Sequence, residues 1–202
     1  MTLPSEKFSP AQDSPRRAVV IGASAGALDA LSALLPMLPR DYPMPLFAVV
    51  HLPPDKKSMI ASLLAAKCQI AVQEAEDKEV IHSGRAYFAP PDYHLLVEAD
   101  NRLSLSSEEP VLFSRPSIDV LFESAADVYG AGLVGIILTG ANSDGASGLK
   151  AVMAAGGTGL VQRPDRAYSE AMPQAAVAAC PNARSMSIEE IGAYLLETSV
   201  TK

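Results

Sequence analysis

Short apolar runs alternate with helix-like stripes along this chain, and that alternation restricts the folds open to it. Ala18–Ile21, Leu46–Val50 and Gly132–Leu138 are strand-length runs without charged residues. Between the first two, leucines recur at helical spacing, at positions 28, 31, 34, 35 and 38. Strands with no polar face are buried on both sides. The sequence therefore predicts an α/β fold, with a mostly parallel, doubly wound sheet and helices on both faces.

The middle of the chain has a different pattern. Four short strands are predicted there, and the last two are expected to form an antiparallel hairpin added to the sheet: Gln69–Gln73, Arg85–Ala89, His94–Glu98 and Arg102–Ser106. Further predicted elements are helices over Met59–Lys67 (with Ile60, Leu63 and Leu64 inward), from Pro116 onward and over Leu149–Ala155, a strand at Gly159–Val161, and a last helix from a Ser187–Glu190 capping box to Leu196. We expect a flexible tail over residues 1–16 and one domain over 17–202.

Composition excludes several classes of protein. The net charge of −7 argues against nucleic acid as the main partner. No apolar run is long enough for membrane insertion, and the N-terminus lacks the apolar segment of a secretory signal, so a cytoplasmic location is expected. Cys68 and Cys180 have no clustered Cys or His beside them, which indicates reduced packing residues rather than a disulfide framework or a zinc site.

Ser24 follows the first predicted strand within Gly22-Ala-Ser-Ala-Gly26, a G-x-S-x-G sequence that leads into a helix. Such a turn presents a serine hydroxyl above the sheet, beside free N–H groups that can stabilise an oxyanion. A glycine-rich turn with a capping serine is the alternative. The spacings G-x-G-x-x-G and G-x-x-x-x-G-K-[ST] of nucleotide-binding loops are both absent.

His51 and Asp144 also follow predicted strands. In a parallel sheet the carboxyl ends of the strands form the active-site edge, so the three side chains are expected to meet there. A histidine satisfied by a nearby carbonyl, or an Asp-Gly turn, would explain either residue alone. Together they match a nucleophile, a base and an orienting carboxylate. The chain order Ser–His–Asp differs from the Ser–Asp–His order of α/β-hydrolases.

Several segments, in order over about residues 17–177, resemble the catalytic domain of chemotaxis protein-glutamate methylesterases. They are VVIGASAGALDAL, VVHLPPDKK, AYFAPPDYHL, RPSIDVLFESAA, GIILTGANSDGASGL, and AAGG followed by EAMPQAAV. The resemblance implies a Rossmann-like sheet with an antiparallel hairpin, and a triad of Ser24, His51 and Asp144. It also implies hydrolysis of glutamate γ-methyl esters on the cytoplasmic helices of methylated chemoreceptors, often with deamidation of receptor glutamines. Neither a metal nor an organic cofactor is implied.

The resemblance assigns further roles and also has departures. It implies oxyanion or pocket positions at Ala25, Ala141 and Met172; Ala141 stands where the family often has methionine, and Ala25 where threonine is common. A regulatory receiver domain usually precedes the catalytic domain, whereas here a short tail does, so a stand-alone domain is expected. Arg115 is expected to form a surface or structural ion pair, with a receptor carboxylate as the alternative partner.

Two other functions remain open on the residues alone. A non-catalytic interaction module of the same fold would agree with the altered pocket positions. A serine esterase with another substrate would agree with the triad, because a fold does not determine a substrate. Labelling of Ser24 by a covalent serine probe separates the first of these from the catalytic hypotheses.

Overall fold

The computed structural model describes residues 17–51 and 59–200. The predicted tail over residues 1–16 lies outside the described residues, as does the whole LPPDKK sequence after His51. The strands and helices follow in chain order: β1 Ala18–Ala23, α1 Ala27–Leu34, β2 Leu46–Val50, α2 Ile60–Ala65, β3 Ala71–Glu74, β4 Arg85–Phe88, β5 His94–Val97, β6 Leu103–Ser106, α3 Ile118–Tyr129, β7 Leu133–Ile137, α4 Ala146–Ala154, β8 Thr158–Gln162, α5 Ala171–Ala179, β9 Arg184–Met186 and α6 Ile188–Val200.

The main sheet has seven strands in the order β3-β4-β2-β1-β7-β8-β9, and every pairing in it is parallel. Apolar side chains on one face of the sheet pack against α1, α2 and α6, and those on the other face pack against α3, α4 and α5. The predicted doubly wound α/β fold is therefore confirmed. The strand order reverses at β1, because β2 lies on one side of it and β7 on the other.

The sequence expectations need correction at several elements. The predicted hairpin exists, but β5 and β6 form a separate two-stranded antiparallel sheet rather than an addition to the main sheet. Leu28 and Leu63, predicted to face inward, are 38% and 45% exposed, because both lie at the margin of their helices' buried stripes. The helix expected from Pro116 begins at Ile118, after Ser117 in an extended conformation.

Helix α5 and strand β9 were not predicted. The α5 sequence, AMPQAAVAA, has small residues and a proline in its first turn, so it carries no strong apolar stripe. Strand β9 has three residues, two of them exposed. In contrast, the capping box before α6 is confirmed: the Ser187 N–H donates to Glu190 Oε2 at 2.7 Å, and the Glu190 N–H donates to Ser187 Oγ at 3.3 Å.

None of the helices in the described part of the chain combines the length and hydropathy needed to span a bilayer.

Candidate active site

Three neighbouring strands, β2, β1 and β7, bring the predicted residues to one edge of the sheet. Ala23 pairs with Val50, so Ser24 and His51 both follow directly after paired residues. Beyond the strands, the His51 N–H donates to the Ala23 carbonyl at 3.1 Å, and the Ser24 N–H donates to the Thr139 carbonyl at 2.9 Å. The segment that carries Asp144 therefore begins beside Ser24 on one side, with His51 on the other, at the point where strand order reverses.

Ser24 lies in a tight turn between β1 and α1. Gly26 has a φ of 82°, a left-handed conformation that favours glycine, and a Cβ there would lie 2.6 Å from Tyr168 Cβ. The Ser24 side chain is partly exposed, and its hydroxyl makes no hydrogen bond with any residue in the ranges 17–51 and 59–200. The turn thus holds a hydroxyl at the sheet edge with its donor and its lone pairs available.

His51 and Asp144 are directly hydrogen-bonded, with 2.8 Å between His51 Nε2 and Asp144 Oδ2. A carboxylate only accepts hydrogen bonds, so Nε2 carries the proton and Nδ1 of the neutral ring holds the lone pair. Of the two ring nitrogens, Nδ1 is therefore the one able to accept a proton. Asp144 is 0% exposed, so this histidine–carboxylate contact is shielded from water.

The Asp144 carboxylate also accepts hydrogen bonds from groups at the start of helix α3. Its Oδ1 accepts from Ser117 Oγ at 3.0 Å and from the Asp119 N–H at 3.0 Å, and its Oδ2 accepts from the Ile118 N–H at 2.7 Å. Burial acts to raise the pKa of Asp144, but the hydrogen bonds from His51 and the two backbone N–H groups outweigh it and lower that pKa. Asp144 is therefore held as an anion at neutral pH.

Asp119 makes the reverse contact to helix α4. Its Oδ1 accepts from the Gly145 N–H at 2.9 Å and from the Gly148 N–H at 2.6 Å. Gly145 follows Asp144 and has a φ of 95°, and a Cβ there would meet Ile137 and Ile118 at 2.6 and 2.7 Å. Asp144 thus accepts free N–H groups at the start of α3, and Asp119 accepts those at the start of α4. These hydrogen bonds fix both the backbone and the side chain of Asp144.

Burial raises the pKa of Asp119, and the negative charge of Asp144 raises it further, against the two backbone hydrogen bonds that lower it. Sequence reasoning missed Asp119, although it stands within the RPSIDVLFESAA segment that carried the resemblance.

His94 and Asn142 are the other site residues that sequence reasoning missed. Buried His94 accepts the Ser117 N–H at Nδ1 at 3.1 Å, and its Nε2 lies 3.1 Å from the Glu109 carbonyl, so it connects the hairpin to the α3 N-terminus. Asn142 Nδ2 lies 3.1 Å from His51 Nδ1, and Asn142 Oδ1 accepts the Asp144 N–H at 3.2 Å. The nitrogen of His51 that can accept a proton is thus occupied by Asn142.

The predicted oxyanion and pocket positions fall into two groups. Ala25 and Ala141 lie on the turns after β1 and β7, and neither backbone N–H donates a hydrogen bond within the described part of the chain. Met172 is 1% exposed, and a Cβ placed on Gly140 would lie 2.6 Å from its sulfur. Its side chain is buried and packs against Gly140, so it supports the loop after β7.

A cavity of about 250 Å³ opens beside His51. It is lined by His51, Asp92, Pro110, Phe113, Ser114, Arg115 and Pro116. His51 connects this cavity to the strand ends that carry Ser24 and Asp144. Within the described ranges, no three His, Cys, Asp or Glu side chains are grouped closely enough to coordinate a metal ion.

A family model described as CheB methylesterase matches residues 19–195. The chain belongs to the CheB methylesterase family. The match covers the three strand ends, both aspartate-capped helices and the hairpin, so the resemblance seen in the sequence is confirmed.

Relatives and a solved structure agree with this membership. A Leptospira interrogans protein, provisionally named protein-glutamate methylesterase/protein-glutamine glutaminase, is 47% identical over 174 residues, which are 86% of this chain and 90% of that protein. An Archaeoglobus fulgidus protein of the same name is 39% identical over 79% of this chain, which spans 46% of that protein's length. The crystal structure of the Thermotoga maritima CheB methylesterase catalytic domain superposes with a TM-score of 0.87 at 30% identity, covering 91% of this chain and 98% of that one.

Proposed function

We propose that this chain is a protein-glutamate methylesterase that hydrolyses glutamate γ-methyl esters on the cytoplasmic helices of methylated chemoreceptors. Ser24 is the nucleophile, His51 the general base and Asp144 the residue that orients it. The observation that carries the proposal is the 2.8 Å contact between His51 and a fully buried Asp144. His51 follows β2, and β2 pairs with β1, the strand that precedes Ser24. We place the reaction in the cytoplasm, where those receptor helices are exposed.

The first half of the reaction acylates Ser24. Its Oγ attacks the ester carbonyl carbon while its proton passes to His51 Nδ1, after the Asn142 amide releases that nitrogen. The N–H groups of Ala25 and Ala141 donate to the developing oxyanion. The C–O bond to the methoxy group breaks, methanol leaves with the proton from His51, and an acyl-enzyme ester remains.

The second half releases the product. Water attacks the acyl carbon, His51 takes its proton, and the bond to Ser24 Oγ breaks as that proton is returned to Oγ. The product is a glutamate carboxylate on the receptor. The same steps with ammonia as the leaving group would deamidate a receptor glutamine, the second activity in the names of the relatives.

The decisive experiment is methanol release from methylated receptor membranes. Ser24→Ala is expected to lower the rate by roughly 10³-fold or more, because the covalent route is removed. Ser143→Ala is the matched control, since Ser143 is an exposed serine in the loop that carries Asp144, and it should keep near-normal activity.

Labelling with a fluorophosphonate probe adds a second measurement. We expect labelling of the wild-type chain and the Ser143→Ala variant at Ser24, and none of the Ser24→Ala variant. Methanol release by Ser24→Ala at the wild-type rate would overturn the mechanism. Labelling at Ser24 without release of receptor methanol would indicate an esterase with another substrate, and absence of labelling would favour a binding module.

A further inference from the structure

A two-residue turn beside the cleft has an unusual composition. The Val111 N–H donates to the Ser114 carbonyl at 3.1 Å, and the Ser114 N–H donates to the Val111 carbonyl at 2.8 Å. The central residues, Leu112 and Phe113, have φ values of 48° and 62°. Positive φ at both positions is typical of a type I′ turn, which strongly favours Asn and Gly. Leucine and phenylalanine are strained in this conformation.

Packing does not compensate for that strain. Leu112 is 53% exposed and Phe113 is fully exposed, so neither side chain contributes its area to a core. Phe113 also lines the cavity that contains His51. Strained backbone that persists without a packing benefit is concentrated at functional sites, and a large apolar side chain held in solvent is typical of a surface that binds a partner.

Arg115 lines the same cavity. Its Nη1 donates to the carbonyls of Ser107 and Glu108 at 3.0 and 3.1 Å, which holds the guanidinium in place. Its Nε is enclosed and has no hydrogen-bond partner, and no carboxylate in residues 17–51 or 59–200 lies within ion-pair distance of it. Asp92 lines the cavity as well but does not pair with Arg115. The structural ion pair expected from the sequence is therefore absent from the described part of the chain.

We propose that Leu112, Phe113 and Arg115 form a docking edge for the substrate polypeptide, with the two apolar side chains contacting an apolar residue and Arg115 pairing with a carboxylate close to the ester-bearing glutamate. The inference rests on the proposed function and deepens it. The occupant is the segment of the substrate protein that flanks the ester, because the edge is continuous with the cavity beside His51. A cation placed there also offsets part of the repulsion between a chain of net charge −7 and a segment that carries a carboxylate.

The first test compares a large and a small substrate. Arg115→Gln should raise KM for methylated receptor about tenfold and leave kcat within about twofold, since a lost charge-assisted hydrogen bond weakens binding by that order. Hydrolysis of an N- and C-blocked glutamate γ-methyl ester, which has no flanking segment, should be unchanged. The matched control is Arg102→Gln: Arg102 also donates to a carbonyl, that of Lys78, but lies at the end of the β5–β6 hairpin away from His94.

The second test replaces the turn. The double variant Leu112→Asn/Phe113→Gly should raise the melting temperature, because it supplies the residues that the backbone conformation favours, and it should raise KM for the receptor several-fold. A residue pair with a merely structural role would not give higher stability together with weaker substrate binding.

Binding measurements separate this proposal from the proposed function. The Ser24→Ala chain should lose methanol release but still bind methylated receptor fragments in solution, whereas adding Arg115→Gln to it should weaken that binding about tenfold. Receptor binding and KM unchanged by both docking variants would overturn the docking edge. Equal losses on the receptor and on the small ester would also overturn it, since they would indicate a general disturbance of the active site.

Discussion

Asp144 and Ser24 follow adjacent strands of one sheet, yet their surroundings are opposite. The Asp144 carboxylate is fully buried and accepts hydrogen bonds from four groups. The Ser24 hydroxyl is partly exposed and accepts none from the residues that the structure describes. A charge that orients the base has to be in place before substrate arrives, whereas a nucleophile has to leave its contacts open for the reacting carbonyl. Among the described residues, the fixed hydrogen bonds of this site are therefore concentrated on Asp144 and not on Ser24.

Removing the anion tests this difference most severely. Asp144→Asn should lower kcat by about 10³- to 10⁴-fold, because a carboxamide no longer holds His51 in the tautomer with an unprotonated Nδ1. Its NH₂ group would also face groups that themselves donate hydrogen bonds to Asp144. Release of methanol by purified protein measures the effect. Asp127→Asn, at an exposed position of helix α3, is the control. A variant with wild-type kcat would show that Asp144 has no orienting role.

The same anion predicts a dependence of stability on pH. The pKa of Asp144 is lower in the folded chain than the usual value of about 4, so its ionised form stabilises the fold. That contribution is fully present above the usual value and is lost as the pH falls through the folded-state pKa. Urea unfolding of the wild type and of Asp144→Asn should therefore show a difference in the free energy of unfolding that disappears in acid. A difference independent of pH would contradict this account.

Asp119 tests whether the order around Asp144 depends on the reciprocal helix capping. Asp119→Ala removes the acceptor of two buried N–H groups and should cost about 2–3 kcal/mol of stability, with a loss of kcat of about tenfold. Asp119→Asn keeps an acceptor oxygen, so this variant should retain most of the stability and most of the kcat of the wild type. An alanine variant as stable and active as the asparagine variant would sink the idea that these caps position Asp144.

The pKa of Asp119 is shifted in the opposite direction to that of Asp144, so its contribution to stability should change with pH in the opposite sense. Because that pKa is raised in the folded chain, protonated Asp119 favours the fold, and its favourable contribution is lost as pH rises from the usual value of about 4 through the folded-state pKa. The stability of the wild type relative to Asp119→Asn should fall across that window. Denaturant titrations of both proteins at a series of pH values measure it, and a rise instead of a fall would refute the assigned direction.

Asn142 bears on both halves of the comparison, because it contacts His51, the residue proposed to link Ser24 to Asp144. Its amide occupies His51 Nδ1, so each turnover requires that contact to be exchanged for one with Ser24. Asn142→Ala should raise kcat on a small glutamate methyl ester by about two- to tenfold, the range of a neutral hydrogen bond in net free energy. Ser143→Ala should change nothing. A clear fall in kcat would mean that Asn142 supports the reactive arrangement instead of competing with it.

The local sequence pattern was sufficient to predict the central strands of the sheet. Buried parallel strands such as Leu46–Val50 are apolar throughout, and that signal does not depend on distant residues. It failed at β9, which is short and largely exposed, and at α5, whose small residues have no clear stripe. The independent pairing of β5 with β6 depends on tertiary packing against α3, which no local pattern contains.

Ser24, His51 and Asp144 could be predicted as a group from the sequence by itself, because each follows a strand and parallel strands end at one edge of a sheet. Tertiary structure alone decided that His51 turns Nε2 toward Asp144 and Nδ1 toward Asn142. It also decided that Ser117, Asp119 and His94 hold Asp144 and the start of helix α3 in place. Those contacts join segments far apart in the chain, and hydrogen bonds of this kind have no period or spacing in sequence. The exposed, strained Phe113 is the same case, since nothing local distinguishes it from a core phenylalanine.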